Sequence, residues 1–363
     1  MNYDVLSLAH HEGNPRNSEG AFAETSDGRL IFVYSRYTGD SCHDHAAADL
    51  ALRESRDGGR TWSASDRIVF DHRESGAANL MSVSLLTLPS GRLLLFCCRK
   101  SASPEGTMNC IPCAAHSDDG AQSWSELRPL LAQEGYYVLA NDRVIRLRSG
   151  KLLAPLATAE NALQFWSSSD DGASWRQEGE TLVPEGTACT TYQEPGVIEL
   201  ADGSLWCWIR TETGFQYGTF SRDEGRSWSK PAPMAEFRSP MSPMSVKRNP
   251  LNGRLVAVWN DHSDRWDVPP PVYTRPGWGD VPTAGRHPLV LAESSDEGKT
   301  WHGARRLEKD PRRGFCYVAM HFTGDALLLG YCCGGLNGSI MLQDLKIVRL
   351  PMQPEGSLDF AGI

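Results

Sequence analysis

The sequence predicts an all-β chain folded as a six-bladed β-propeller. Two short patterns alternate along its 363 residues: a glycine turn followed by an apolar strand, and a box of the form Ser-x-Asp-x-Gly-x-(Ser/Thr)-Trp. No stretch sustains apolar residues at i, i+3, i+4 and i+7 over three turns, so no amphipathic helix is expected. A repeating unit of four short strands is typical of a propeller, in which radial repetition leaves only short sheet edges.

The first pattern is a tight turn that joins two strands. Asp-Gly, Asn-Gly and Ser-Gly between apolar runs supply the positive φ that such a turn demands. Each copy predicts the hairpin between the two inner strands of one blade. The six copies are centred on Gly28, Gly91, Gly150, Gly203, Gly253 and Gly324.

The second pattern, called the Trp box here, follows each of the first five hairpins. Its copies are residues 55–62, 117–124, 168–175, 221–228 and 294–301. In the second copy the glycine is shifted to Gly120. We predict a folding role, because the Asp and Ser or Thr side chains can bond the backbone N–H groups of their own turn while Trp anchors it to the blade.

The sixth unit has no Trp box. The chain begins with the strand-like YDVLSLA and ends its last unit with DLKIVRL. We therefore expect residues 3–9 to join the last blade and close the ring. A single propeller domain is then expected to span residues 1–363.

Composition limits the function. Hydrophobic residues make up 40% and charged residues 22%, which is typical of a globular chain, and the net charge of −9 argues against nucleic acid or an anionic membrane as partner. The N-terminus shows no export signal, so we expect a cytoplasmic protein whose ten cysteines are reduced. Neither the lone Cys110-x-x-Cys113 nor the His43-Asp44-His45 trio makes a strong metal motif, so no metal or organic cofactor is expected.

Antiparallel topology predicts which face carries a site. The strands of a blade are numbered 1 to 4 from the axis outward. The glycine turns join strand 1 to strand 2 and the Trp boxes join strand 3 to strand 4, so in an antiparallel sheet both must lie on the same face. The opposite face is built from residues that precede strand 1 or follow strand 2, and these are rich in Arg, Asp, Glu and Tyr. They are Arg16, Glu19, Asn79, Asn141, Asp142, Gln193, Glu194, Lys247 and Tyr317, and then 36–45, Arg99, Glu160, Arg210 and 260–286.

The fifth unit contains a long excursion. From hairpin glycine to box aspartate the first four units span 29, 28, 20 and 20 residues, but the fifth spans 43. We expect residues 261–285 to form a loop over the site. Its Trp266, Tyr273 and Trp278 are suited either to packing the loop down or to stacking on a sugar.

The Trp box resembles the Asp-box of the sialidase superfamily, whose propeller also has six blades. Sialidases use a tyrosine nucleophile with a glutamate base, an aspartate general acid and three arginines that clamp the substrate carboxylate. In QEPGVIELADGSLWCWIR, Glu194 and Arg210 match the glutamate and the second arginine. The resemblance further implies Arg286 as the third arginine and Tyr317 as the nucleophile, so that these matches span residues 193–331.

The N-terminal third departs from the family pattern. The family's first arginine belongs to a Phe/Tyr-Arg-Ile-Pro motif, but here the segment reads NPRNSEGAF, with Arg16 as the candidate and Glu19 nearer the expected place. For the general acid, Asp44 is closest to the usual spacing and Asp40 is the reserve. Arg36, Gln193 and Asn260 complete the expected substrate-binding set.

The resemblance implies a retaining exo-glycosidase that hydrolyses a terminal acidic sugar, sialic acid or a related one. A tyrosine has a pKa of about 10 and needs an adjacent base, and a neutral phenol approaches an anionic sugar without repulsion. Two alternatives stay open: a propeller that hydrolyses or eliminates a different acid sugar, and a non-catalytic carbohydrate-binding propeller. The expected partner is a carbohydrate, and the linkage and oligomeric state stay open.

Overall fold

The computed structural model describes residues 3–103, 106–267, 285–335 and 339–359. Their strands form six antiparallel sheets arranged as the blades of a propeller, which confirms the predicted fold class. Within those ranges no helix is long and apolar enough to cross a membrane.

The strands of the described residues are short, with few exceeding eight residues. In chain order they are β1 (Asp4–Leu8), β2 (Asn17–Glu24), β3 (Leu30–Tyr37), β4 (Ala48–Ser55), β5 (Arg67–Phe70), β6 (Asn79–Thr87), β7 (Leu93–Ala102), β8 (Met108–Ser117), β9 (Arg128–Pro129), β10 (Tyr137–Val138), β11 (Ile145–Arg146), β12 (Leu152–Thr158), β13 (Leu163–Ser168), β14 (Arg176–Leu182), β15 (Gln193–Glu199), β16 (Leu205–Arg210), β17 (Phe215–Ser221), β18 (Ala232–Arg238), β19 (Ser245–Arg248), β20 (Leu255–Asn260), β21 (Leu289–Ser294), β22 (His302–Glu308), β23 (Cys316–Phe322), β24 (Ala326–Cys332) and β25 (Leu345–Pro351).

Each blade is one sheet, numbered along the chain. Blades 1, 2, 4 and 5 are β2–β5, β6–β9, β15–β18 and β19–β22. In blade 3 the innermost strand is split into β10 and β11, which pair with opposite ends of β12 and leave residues 139–144 free to turn into the propeller axis. Blade 6 has the order β23-β24-β25-β1.

The two ends of the described chain meet in blade 6. Strand β1 pairs with β25, with Leu8 opposite Leu345 and Asp4 opposite Val348. The ammonium of Lys346 lies 3.1 Å from the Asp4 carboxylate, next to this seam. Blade 6 is therefore assembled from segments at opposite ends of the sequence.

Apolar side chains fill the spaces between blades. All of β20 and nearly all of β3 are buried, which explains why the inner strands read as continuous apolar runs. Between blades 4 and 5 the packing is aromatic, with Phe237 lying 5.1 Å from Trp259 and 5.2 Å from Trp301 between ring centroids. Burial of these rings stabilises the contact between neighbouring blades.

The Trp boxes fold as predicted. In the third box the Ser168 hydroxyl accepts the Gly172 N–H at 2.9 Å, and the Asp170 carboxylate accepts the Ser174 N–H at 2.9 Å and its hydroxyl at 2.6 Å. The Trp175 indole N–H donates to the Gly172 carbonyl at 3.1 Å. The fourth and fifth boxes repeat this set of bonds, so the role of the pattern is structural.

The boxes also join neighbouring blades. Arg29, beside the first hairpin turn, donates to the Gly120 carbonyl of the next blade's box at 2.8 Å. The backbone N–H of Ala201 in blade 4 donates to Glu297 in the box of blade 5 at 2.7 Å. These contacts place turns and boxes on one face and leave the opposite face for the site.

Removing one box carboxylate should destabilise the fold without touching the opposite face. We expect Asp170→Ala to lower Tm at pH 7, because Ser174 loses its acceptor. Hydrogen bonds from the Ser174 hydroxyl and N–H and then from Ser168 lower the pKa of Asp170 to about 2. Because the folded pKa lies below the unfolded one, this stabilisation is complete above about pH 4 and is lost as pH falls through about 2, so the Tm difference should shrink on acidification.

The matched control is Asp171→Asn. Asp171 is the exposed neighbour of Asp170, and asparagine tolerates its φ of 53°. Thermal unfolding followed by circular dichroism measures both variants. Equal Tm values at pH 7, or a difference that persists unchanged at the lowest pH, would contradict the assigned role.

Candidate active site

The innermost strands of four blades carry a β-bulge near the end that faces the site. The pairing register shifts between Ser18 and Gly20 in β2, between Met81 and Ser84 in β6, between Gln193 and Gly196 in β15, and between Cys316 and Ala319 in β23. A bulge re-aims the side chain that it carries. The bulged residues Glu19, Ser82, Glu194 and Tyr317 all line one cavity.

Three of these residues have a backbone conformation that is unfavourable for a side-chain-bearing residue. Ser82, Glu194 and Tyr317 have φ values of 61°, 44° and 58°. Such conformations cost free energy and persist only where the surrounding structure imposes them. Their occurrence around a single cavity is typical of a functional site.

The cavity has a volume of about 110 Å³ and lies where blades 1, 2, 3, 4 and 6 meet. It is lined by both charged and apolar side chains. They are Glu19, Asp44, Met81, Ser82, Cys98, Lys100, Cys110, Tyr136, Val138, Ala140, Glu194 and Tyr317.

A hydrogen bond and an ion pair link three of the predicted residues. The Tyr317 hydroxyl donates to Oε1 of Glu194 at 2.9 Å. Oε2 of Glu194 lies 2.7 Å from Nη1 of Arg210, and both side chains are only 12% exposed. The phenol thus faces a carboxylate that a buried cation holds in place.

Arg286 completes this group. Its guanidinium carbon lies 5.4 Å from the centre of the Tyr317 ring, and its side chain is buried. Nη1 of Arg286 has no hydrogen-bond partner within the described ranges. Arg286 therefore supplies positive potential beside the tyrosine and retains a donor for another group.

The environment sets the protonation of the pair. Burial, and then the negative charge of Glu194, raise the pKa of Tyr317 well above 10. Burial alone would raise the pKa of Glu194, but Arg210 and Arg286 outweigh it and hold that pKa below 4.5. At neutral pH the pair is a protonated phenol beside an ionised carboxylate, which is the state in which Glu194 can accept the phenol proton.

Arg16 and Asp44 form a second ion pair at the edge of the cavity. Nη1 of Arg16 lies 2.5 Å from the Asp44 carboxylate, and its Nη2 lies 3.6 Å from that of Glu19. Arg16 is 1% exposed and stacks over Tyr37, whereas the Asp44 side chain is 41% exposed. Arg16 therefore stands behind the two acids, and Asp44 is the one that reaches solvent. The reserve acid, Asp40, is exposed and does not line the cavity.

Three of the predicted substrate-binding residues bond to groups outside the Tyr317–Glu194 pair. Arg36 shares a face of β3 with Tyr34, and both bind Asp66, which Arg36 meets at 3.2 Å. Gln193 precedes the bulge and donates to Asn161 at 3.4 Å, between blades 3 and 4.

Asn260 is 1% exposed and donates to the Phe315 carbonyl at 3.0 Å, while its oxygen accepts the Ser242 hydroxyl at 2.6 Å. It thereby positions the segment that leads into Tyr317. Among the described residues, no hydrogen bond or ion pair joins Arg36, Gln193 or Asn260 to the Tyr317 side chain.

Polar side chains cross the axis beneath the cavity. The Asn141 amide donates to the Gly20 carbonyl at 2.9 Å and to the Tyr317 carbonyl at 3.0 Å. Asp142 accepts the Lys247 ammonium at 2.7 Å and the Met320 N–H at 2.9 Å. These bonds tie blades 1, 3, 5 and 6 together and hold the backbone of the tyrosine.

The predicted loop over the site lies mostly outside the described residues, because it includes 268–284 with Tyr273 and Trp278. At its start the Trp266 indole donates to Asp261 at 2.7 Å, and the Arg306 guanidinium lies 5.3 Å from the Trp266 ring centre. This part of the excursion packs against β22. Trp266 therefore holds the start of the excursion, residues 261–267, against β22.

Ser82, Lys100 and Tyr136 also line the cavity, although no pattern in the sequence marks them as site residues. Lys100 is 3% exposed, and its ammonium donates to the Asp44 carbonyl at 2.8 Å. Because successive side chains of a strand lie on opposite faces, either Arg99 or Lys100 of β7 must face the cavity. Only the pairing register of β7 decides which of the two does so. Tyr136 lies in an irregular linker for which the repeats make no prediction.

Outside the cavity, one group of side chains has metal-ligand geometry in the part of the chain that the structure describes. Asp49, Asp71 and His72 lie close enough to share an ion. Asp49 accepts the His72 N–H at 2.9 Å and contacts its ring Nδ1 at 2.7 Å, and Asp71 caps its own turn. These hydrogen bonds already explain the arrangement. Asp44 of the His43-Asp44-His45 trio is paired with Arg16 instead.

A family model described as a BNR repeat-like domain matches residues 28–330. The chain belongs to this BNR-repeat family of the sialidase superfamily. The BNR-repeat protein is 30% identical to the anhydrosialidase of Macrobdella decora over 129 residues, which are 33% of this chain and only 16% of that protein.

Solved structures resemble the BNR-repeat protein along most of its length. A Dyadobacter fermentans protein of unknown function has a TM-score of 0.71 at 15% identity, covering 95% of this chain and 98% of the other. The intramolecular trans-sialidase of Ruminococcus gnavus has a TM-score of 0.68 at 15% identity, covering 96% and 98%. Identity at this level establishes the fold alone.

The ion pair with Arg210 makes a direct prediction for Glu194. In Arg210→Met the pKa of Glu194 should rise, because burial then acts against the ionised form with less opposing charge. The pKa of Glu194 is measured from the pH dependence of the ¹³C chemical shift of its carboxyl carbon.

Arg36→Met is the matched control and should leave that titration unchanged, since Arg36 binds Asp66. An equal response to both substitutions would show that Arg210 does not set the ionisation of Glu194.

Proposed function

We propose that the BNR-repeat protein is a retaining, sialidase-like exo-glycosidase that hydrolyses a terminal acidic sugar. The observation that carries this proposal is the 2.9 Å hydrogen bond from the Tyr317 hydroxyl to Glu194. A neutral tyrosine is a poor nucleophile unless a base removes its proton, and Glu194 is ionised and in contact with Tyr317.

In the first step the Tyr317 oxygen attacks the anomeric carbon while its proton passes to Glu194. The bond to the leaving oxygen breaks, and Asp44 donates a proton to that oxygen. Because Asp44 is ion-paired with Arg16, it must first take that proton from solvent, which its partial exposure allows. In the second step water attacks the glycosyl–tyrosine bond, with Asp44 accepting the proton of the water and Glu194 returning its proton to the phenolate. The partial exposure of Asp44 allows it to exchange protons with the leaving group and with water.

The acidic character of the sugar is supported by the arginines and by the relatives. Arg286 has a free donor beside Tyr317, and Arg210 adds a second positive charge. A neutral nucleophile avoids the repulsion that a carboxylate nucleophile meets with an anionic sugar. The names sialidase and anhydrosialidase among the similar proteins favour sialic acid or a related acid.

A second candidate is a propeller that hydrolyses or eliminates a different acid sugar. Glu19 favours it, because this carboxyl group occupies a bulge position that faces the cavity alongside Glu194 and Tyr317. An ionised carboxylate there would oppose a carboxylate on the anomeric carbon next to the nucleophile.

Substitution of the nucleophile tests the mechanism. Tyr317→Phe should reduce kcat by about three orders of magnitude or more while leaving substrate binding nearly unchanged, since only the reacting oxygen is removed. The assay uses aryl glycosides of N-acetylneuraminic acid, of a shorter keto acid sugar and of glucuronic acid.

Tyr331→Phe is the control, because Tyr331 is buried in the same blade and donates to Glu308 at 2.8 Å. If the wild-type protein cleaves only the glucuronide, the second candidate, a propeller that acts on a different acid sugar, is supported. Turnover by Tyr317→Phe at the rate of Tyr331→Phe would exclude the tyrosine mechanism, and binding without turnover by wild type would favour a carbohydrate-binding propeller.

Removal of the free arginine donor tests the carboxylate contact. Arg286→Ala should lower kcat/KM for an acidic glycoside by about 30-fold to 1000-fold, because a charge-assisted pair in a site without water contributes about 2–4 kcal/mol. Arg312→Ala, in an exposed residue paired with Asp310, is the control. Equal losses on the acidic glycoside and on its methyl ester would show that Arg286 does not bind the carboxylate.

A further inference from the structure

Glu19 is a buried acid that the mechanism above leaves unused. The bulge in β2 presents it to the same cavity as Glu194 and Tyr317. The residue is 2% exposed, and its Oε2 has no hydrogen-bond partner in the parts of the chain that the structure describes. A buried polar atom without a partner is costly, and at the wall of a cavity it is suited to contact with a ligand.

The cation nearest to Glu19 also pairs with another acid. Arg16 lies 2.5 Å from the Asp44 carboxylate and 3.6 Å from that of Glu19, so the two acids share its charge. Asp44 and Glu194 add negative charge around the same cavity. The titratable and charged groups that face Glu19 or share its cavity are Arg16, Tyr37, Asp44, Cys98, Lys100, Cys110, Tyr136, Glu194, Cys316, Tyr317 and Cys332.

This setting favours the protonated form of Glu19. Burial, with a smaller contribution from Asp44, raises the pKa of the carboxyl group. The opposing effects of Arg16, of a hydrogen bond with Ser18 and of Lys100 do not cancel the rise. A carboxyl group in such an environment keeps its proton at a pH where an exposed glutamate has lost it.

We propose that Glu19 binds the carboxylate of the acidic sugar as a neutral carboxyl group that donates a hydrogen bond from Oε2. The inference rests on the proposed function and specifies how that site selects its substrate. A carboxyl O–H bonded to a carboxylate is short and strong, whereas two ionised carboxylates repel each other. Glu19 and Arg286 would then act together as donors, with Glu19 active only while it carries its proton.

The opposite arrangement makes opposite predictions. An ionised Glu19 would accept a hydrogen bond from a hydroxyl or ammonium group of the sugar. Binding would then strengthen as the pH rises, and replacement by glutamine would weaken it. The two arrangements are therefore separated by the pH dependence of KM.

The experiment measures KM and kcat from about pH 4 to about pH 8 with the aryl glycoside that wild type cleaves best and with its methyl ester. For wild type, KM of the acid should rise by about tenfold or more as the pH passes the raised pKa of Glu19, while KM of the ester should not follow. Glu19→Gln should remove that rise and give, at the highest pH, a KM about tenfold lower than that of wild type, because an amide donates at every pH. Glu24→Gln, at the exposed end of the same strand, should behave as wild type.

A KM that rises equally for acid and ester, or a Glu19→Gln variant that binds the acid more weakly than wild type at high pH, would overturn the proposal. If wild type cleaves no acidic glycoside, the proposed function fails by itself. Calorimetric binding of the free acid sugar and its methyl ester, across the same pH range and variants, then decides the role of Glu19. Absence of binding at every pH would overturn this role as well.

Discussion

The hydrogen bond between Tyr317 and Glu194 joins blade 6 to blade 4 near the propeller axis. It requires that each residue leave the regular pleat of its strand, and both do so at a bulge with positive φ. The surrounding bonds make these conformations sustainable. Asn141 holds the Tyr317 carbonyl, Arg210 neutralises Glu194, and the apolar contacts between blades fix the distance that separates the two strands.

Much of the fold could be predicted from the sequence, because the signals are local. Each glycine turn and each Trp box is a short pattern whose side chains satisfy their own backbone, and its repetition determines the number of blades. The same topology also selected the face that carries Glu194 and Tyr317. Both residues lie near the start of an innermost strand, at the end that opens on this face.

The details of the site could not be predicted, since they depend on register. A bulge shifts the alternation of a strand by one residue, and nothing local in the sequence marks where the shift falls. Gln193 precedes the bulge that presents Glu194 and therefore turns to Asn161, and Arg36 lies with Tyr34 on the face of β3 that meets Asp66. Lys100 entered the cavity through the pairing of β7 with its neighbours, and Asn260 became a support for the Tyr317 segment.

The pairing of β1 with β25 has a consequence for when the site exists during folding. Asp4 and Lys346, which meet at this seam, are 342 residues apart in sequence. Contacts of such separation form late, because the entropy of the intervening chain must first be lost. Tyr317 belongs to the blade that this seam completes. The cavity is thus a property of the closed ring, because it is lined by residues of blade 1 and of blade 6, which lie at opposite ends of the sequence.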